Sequence, residues 1–229
     1  MVAVVDGSAT GFDPINWSRT IARAALEAPA GSFGQDIIGV ADVARHLWGD
    51  RPVPSLPPGI QPKATGATVG LLRFERDQSG ISVRGEFVGD VSAMVYRQGA
   101  VPLVLNDLSS GSLYDSSPQT LNTTPRQLVR IRQLRPIRIE ARDVVFTYTD
   151  GFGKWLVDRA GQPNLLEHLR HIDARSFVDL VRAEQRACRM EVDDVMLVRT
   201  TVSGSMPGSS LRPGSAEHQR PRRTRRSAA

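Results

Sequence analysis

An α+β fold, with antiparallel sheets covered by helices, is the architecture this chain predicts. Strand-like segments come in a run, at 66–75, 81–89 and 91–97, joined by short turns at Asp77–Gly80 and Gly89-Asp90. Helical segments come in pairs, and single strands never alternate with single helices as a βαβ arrangement requires. Three apolar runs also meet a carboxylate at one end: Val2–Val5 before Asp6-Gly7, Val144–Thr149 before Asp150-Gly151, and Val195–Val198 after Asp193-Asp194.

In chain order, residues 2–6 read as a short buried strand. Asp13 is a candidate N-cap with Pro14 at the first helical position. The helix it opens places Trp17, Ile21, Ala24, Ala25 and Leu26 on an inner stripe. A second helix is expected over about 36–48, burying Ile37, Val40, Ala41, Ala44, Leu47 and Trp48. Residues 49–62 hold five of the fifteen prolines and read as a connector, since proline continues neither helix nor central strand. The three-strand run follows. Residues 105–125 are rich in Ser, Asn, Asp and Thr and read as a long surface loop, either functional or a tolerated insertion. Strand character returns over 137–149, and a short helical or turn region carries Trp155, Leu156 and Val157. Helices are expected at about 163–171 and 174–188, the latter with Phe177, Val178, Val181 and Cys188 at helical spacing, and a last strand at 194–202. No internal repeat is apparent.

The 229 residues suffice for one well-buried domain, with 40% hydrophobic side chains. The formal charge of +5 belongs to the end of the chain. Residues 204–229 hold six arginines and one glutamate, which leaves 23 basic and 23 acidic side chains for residues 1–203. The domain at 1–203 therefore has no electrostatic footprint for nucleic acid. The tail at 204–229, rich in Gly, Ser, Pro and Arg, cannot form a packed core and reads as a basic, solvated and disordered segment, the alternative being a tether to acidic partners or nucleic acid, which polyarginine attracts without specificity. A lone cysteine, Cys188, excludes an internal disulfide and suits a reducing cytoplasm. No apolar run reaches membrane-spanning length, so a membrane is not expected as a partner.

The chemistry rests on the aspartates at the strand tips. Asp-Gly after a strand is also a common turn signal, so each site alone is ambiguous. Collected at one place, however, such carboxylates repel one another unless a cation offsets their charge, and hard divalent ions such as Mg²⁺ and Mn²⁺ prefer oxygen ligands. The four histidines form no comparable set. His46 reads as a surface or capping residue, and His168 with His171 as an exposed i, i+3 pair.

The ordered series of strand–Asp6-Gly7, Gly66-Ala67-Thr68, Val88-Gly89-Asp90, Thr149-Asp150-Gly151 and Asp193-Asp194–strand resembles the metal-dependent protein phosphatases of the 2C type, in particular their bacterial branch. The resemblance covers about residues 1–202. It implies an αββα sandwich of two facing antiparallel sheets with helices outside and the metal centre at one end. Carried over by motif, Asp6 bridges two Mg²⁺ or Mn²⁺ ions, the Gly7 carbonyl contacts one of them, and Asp150 with Asp193 completes the other site. Asp90 matches a position associated with a third, weaker ion, and Asp194 has a supporting role. The implied reaction is hydrolysis of phosphoserine and phosphothreonine in proteins by a metal-bridged water, with no protein nucleophile. The implied partner is a phosphorylated protein, and the chain is expected as a cytoplasmic monomer.

Two departures bear on that expectation. Relatives carry strands ahead of this Asp-Gly, with a phosphate-contacting Arg and an acidic pair, that have no counterpart here. Arg19, Arg23 and Arg97 are the substitutes to consider, and the sequence does not choose among them. Ser does not directly follow Asp90 as it does in many relatives. The competing reading is a catalytically weak, phosphatase-like binding or regulatory module.

Overall fold

The computed structural model describes residues 1–7, 13–27, 36–49, 65–78, 80–105, 119–123, 129–159, 161–162 and 164–202. Within them the chain forms two antiparallel sheets with helices on the outer face of each. The first sheet contains β1 (Val2–Gly7), β2 (Gly66–Asp77) and β3 (Gly80–Val88) in that order. The short strands β6 (Leu121–Asn122), β7 (Arg132–Gln133) and β8 (Ile137–Ile139) pair with β2 or β3. The second sheet has the order β10 (Leu197–Thr201), β9 (Val144–Tyr148), β4 (Ser92–Tyr96), β5 (Leu103–Val104). Helices α1 (Pro14–Glu27) and α2 (Ile37–Gly49) precede β2. Helices α3 (Asp150–Asp158), α4 (Leu165–His171) and α5 (Ala174–Arg186) lie between β9 and β10.

Side-chain alternation explains the layering. In β1, Val4 points between the sheets while Ala3 and Val5 face α1 and α2. In β9, Val145 points between the sheets while Val144, Phe146 and Tyr148 pack on α3–α5. Strands covered on both faces read as continuous apolar runs, which is why Val144–Tyr148 is almost wholly apolar and fully buried. Three hydrophobic layers result. One contains Trp17, Ile21 and Val40 against Val69 and Leu71. The middle one joins Leu72 and Phe87 to Ala93 and Val95. The third sets Phe146 and Tyr148 against Phe152, Trp155 and Leu169. The expected αββα sandwich is the observed fold.

Several local expectations need correction. The turn at Gly89-Asp90 does not close a hairpin, because β3 and β4 belong to different sheets. It is the crossover between the layers. The 137–149 strand is two strands in different sheets, broken at Arg142, whose φ of 80° is left-handed. Asp143, 1% exposed, secures that break. It accepts hydrogen bonds from Arg97 Nε (2.9 Å), Arg97 Nη2 (2.8 Å) and the Glu140 amide (2.8 Å). Burial pushes its pKa up, but those hydrogen bonds outweigh burial and hold it below the usual carboxylate range. The stretch at 105–125 contains β6 and a buried Leu105, and residues 106–118 lie outside the described residues. So do most of the proline-rich connector and the whole 204–229 tail.

Leu26 is 73% exposed rather than part of the inner stripe, and Leu47 and Trp48 are half-buried. Asp13 adopts a positive φ of 57° and its carboxylate accepts from the Asn16 side chain instead of a helix amide. Helix α5 ends at Arg186, so Cys188 lies beyond it and is exposed, as is Val178. His46, His168 and His171 are on the surface as expected.

One buried polar cluster ties α3 to α5. Glu184, 8% exposed, accepts from Trp155 Nε1 (2.9 Å) and Arg189 Nη2 (2.7 Å) and forms an ion pair with Arg159 Nη2 at 3.0 Å. Hydrogen bonds from Arg189 and Trp155 draw its pKa down to about 2. Glu184→Ala leaves these donors without their shared acceptor, so thermal unfolding is expected to show a loss of about 3 kcal/mol. A melting temperature unchanged from the parent protein counts against this role.

Candidate metal centre

Each sequence-predicted aspartate is placed at the same end of the sandwich, delivered by four separate chain segments. Asp6, last but one in β1, lies opposite Thr68 of β2, and Gly7 lies opposite Ala67. Asp6 shares the face of Val4, so it points between the sheets. Asp90 lies in the crossover that leaves β3 beside this end of β2. On the other sheet, Ser92 and Leu197 both pair with Tyr148, which puts the start of β4, the end of β9 and the start of β10 together. Asp150 follows after Thr149 as the first residue of α3, and Asp193-Asp194 stands just ahead of β10, separated from it by Val195 and Met196.

Local features fix these positions. Gly89 has a φ of 81°, and a Cβ there would lie 2.4 Å from Thr68 Cγ2, so the crossover requires glycine. Asp90 behind it is 3% exposed. Thr149 occupies the N-cap position of α3 without capping it. Its hydroxyl instead donates to the Asp194 carbonyl and accepts from the Met196 amide, both at 3.0 Å, while its own amide reaches Met196 O. This clasp holds the Asp150 segment against the Asp193 segment. Gly151 fits the same contact: a Cβ there would lie 3.2 Å from Asp193 Cβ. Asp193 itself accepts from the Asp194 amide at 2.8 Å. Lys154 of α3 pairs with Glu191, two residues before Asp193.

The electrostatics show the consequence of this convergence. Burial, followed by the negative charges of Asp150, Asp193, Asp194 and Asp90, raises Asp6 from 3.8 to about 7. Burial and the charge of Asp150 raise Asp90 to about 7 as well, against the opposing pull of its own amide and of Thr68. Asp150 is raised by burial and by Asp193, although amides at the start of α3 favour its ionised form. Among the described residues, none of these aspartates takes part in an ion pair.

The donor set therefore suits a hard divalent cation: carboxylate oxygens of raised pKa with no protein counter-charge. Thr68 Oγ1 adds a buried hydroxyl with no hydrogen bond of normal geometry, close enough to Asp90 to favour its charged form. The side chains do not close on one point, since no group of three or more His, Cys, Asp or Glu among the described residues is drawn together tightly enough to hold an ion. They surround a common region at a range where charge is felt and direct contact is not made.

Sequence reasoning missed the supporting residues. Thr149 was legible only as the residue before Asp150, and the Lys154–Glu191 pair joins positions 37 residues apart with no motif. Of the arginines considered for phosphate capture, Arg97 is bound to Asp143 and Glu140 beyond the far end of β4, and Arg23 is paired with Glu27. Arg19 is exposed on α1.

No protein-family model and no curated protein matches the chain in sequence. Solved structures match in shape. The catalytic domain of the serine/threonine protein phosphatase PstP in complex with two manganese ions superposes with a TM-score of 0.54 at 16% identity, over 88% of this chain and 87% of that one. PppA, a regulatory component of the type VI secretion system in Pseudomonas aeruginosa, gives 0.53 at 17%, over 87% and 85%. The Mycobacterium tuberculosis phosphatase PstP gives 0.51 at 16%, over 88% of each chain. The fold is thus that of the 2C-type serine/threonine phosphatases.

Proposed function

We propose that the chain is a metal-dependent phosphatase acting on phosphoserine and phosphothreonine in proteins. The observation that carries this reading is the meeting of Asp6, Asp90, Asp150 and Asp193 at one end of the sandwich, with the raised pKa values of Asp6, Asp90 and Asp150 and no ion-pair partner among the described residues. Asp6, the Gly7 carbonyl, Asp150 and Asp193 are the proposed ligands of two Mg²⁺ or Mn²⁺ ions, with Asp90 serving a third. When bound, such ions supply the charge that offsets the phosphoryl oxygens and the acidity that makes a water nucleophilic near neutral pH.

The chain's own residues do the positioning. Asp6, last but one in β1, projects from the first sheet toward the carboxylates of the second, the placement a shared ligand needs. Thr149 and Gly151 set the spacing between the Asp150 and Asp193 segments. Gly89 sets the depth of Asp90. The fold agrees with this role, and the manganese-bound state of one structural neighbour supports the choice of metals.

The test is hydrolysis of p-nitrophenyl phosphate and of a phosphothreonine peptide by the purified chain, with and without Mn²⁺. Turnover that requires Mn²⁺ or Mg²⁺ and is removed by chelation is the expected outcome. A folded chain that binds Mn²⁺ but turns over neither substrate contradicts the enzymatic reading and leaves the phosphatase-like binding module in its place.

A further inference from the structure

A cavity of about 390 Å³ opens beside the carboxylates, between α3 and the turn that leads from α5 to β10. That volume lies within the range of about 300–1,000 Å³ common for ligand sites. Trp155 and Met190, both nearly fully buried, are its apolar lining, and Val192, 90% exposed, stands at its edge. Gly151 belongs to its wall, follows Asp150 in the chain and packs against Asp193. The cavity therefore begins where the carboxylate cluster ends.

Its charges are already committed. Lys154 pairs with Glu191, and Arg189 gives its hydrogen bonds to Glu184. Asp158 adds a further negative charge to the wall. An acidic occupant would meet satisfied cations and unsatisfied repulsion, whereas an apolar one would cover Val192. Desolvating an exposed valine at this edge favours apolar contact.

Resting on the phosphatase reading above, we propose that this cavity receives an apolar side chain of the phosphoprotein substrate, near the phosphorylated residue, and so selects among substrates. A phosphoryl group at the carboxylates would leave its polypeptide to continue over Gly151, and the cavity is the concavity it meets there. Lys154 and Glu191 then act as a rim that also braces the Asp193 segment, and the exposed Val192 supplies the contact surface above a floor of Trp155 and Met190.

Cys188 makes the proposal measurable. It is the only cysteine of the chain, it is exposed, and it lines the cavity. The experiment follows the initial rate at which Cys188 reacts with a chromogenic disulfide reagent in the presence of Mn²⁺. The probes are short phosphoserine peptides that differ only in a leucine or a glutamate two residues from the phosphoserine, and p-nitrophenyl phosphate. The leucine peptide at saturation is expected to slow labelling at least about fivefold, with little effect from the glutamate peptide or the aryl phosphate. Peptides that are hydrolysed but leave labelling unchanged, or protect equally, overturn the cavity proposal while the phosphatase reading stands. Selective protection without hydrolysis keeps the cavity as a peptide site and rejects the phosphatase reading. Neither protection nor hydrolysis rejects both.

Discussion

Asp6→Asn and Asp150→Asn are each expected to lower Mn²⁺-dependent turnover of p-nitrophenyl phosphate by more than about 100-fold, since loss of residues merely supporting a metal ligand already costs about 10–100-fold. Asp6 lies in a strand of one sheet and Asp150 opens the helix that follows a strand of the other, so a shared effect on activity reports the composite centre rather than damage to one strand. A stability control separates the causes. In the metal-free protein both carboxylates are raised by burial and by neighbouring negative charge, so neutral Asn relieves repulsion. Each variant should therefore melt no lower than the parent in chelator while losing activity. A variant that loses activity and unfolds at lower temperature would trace the effect to folding. Unchanged turnover in either variant would remove that residue from the centre.

The second large effect is on stability itself. In the unfolded chain Asp6 and Asp90 titrate near 3.8, and in the folded metal-free chain near 7. The folded state thus keeps protons that the unfolded state releases, and stability from these groups is fully present below about pH 4 and lost as pH rises to 7. Glu184 works in the other direction: lowered to about 2, it contributes above its ordinary 4.5 and fails as pH falls toward 2. Between pH 5 and 7 Glu184 is constant and the aspartates dominate. In chelator, Tm is expected to fall over that interval by something on the order of 5 °C, after allowance for solvent screening. Mn²⁺ at pH 7 should restore it, because an ion that binds only the folded state stabilises it. A metal-free Tm that rises from pH 5 to 7, or one insensitive to Mn²⁺, would contradict the electrostatic description.

The fold was legible where periodicity is strong. The buried run at 144–148, the Trp17 helix and the absence of βαβ alternation pointed to α+β layers, and those layers are present. Positions were less legible where tertiary contacts decide the outcome. Nothing local distinguishes a hairpin turn from a crossover at Gly89-Asp90, since both need a glycine with positive φ. The break at Arg142 depends on Asp143 meeting Arg97 from another strand. Cys188 has helical spacing, yet the helix stops two residues earlier with the Glu184 cluster behind it. The aspartates were legible because a strand tip displays its residue whatever the surroundings. Thr149, Lys154 and Glu191 were not, because their partners are distant in sequence.

Calorimetric titration of the chelator-stripped chain with Mn²⁺ at pH 7, beside Asp6→Asn, tests the centre most directly. The expected result is uptake of two ions by the parent chain, with release of protons as Asp6 and Asp90 ionise, and sharply weaker binding by the variant. A folded parent chain that takes up no Mn²⁺, or a variant that binds it as well as the parent, would contradict the assignment of these carboxylates as a metal centre.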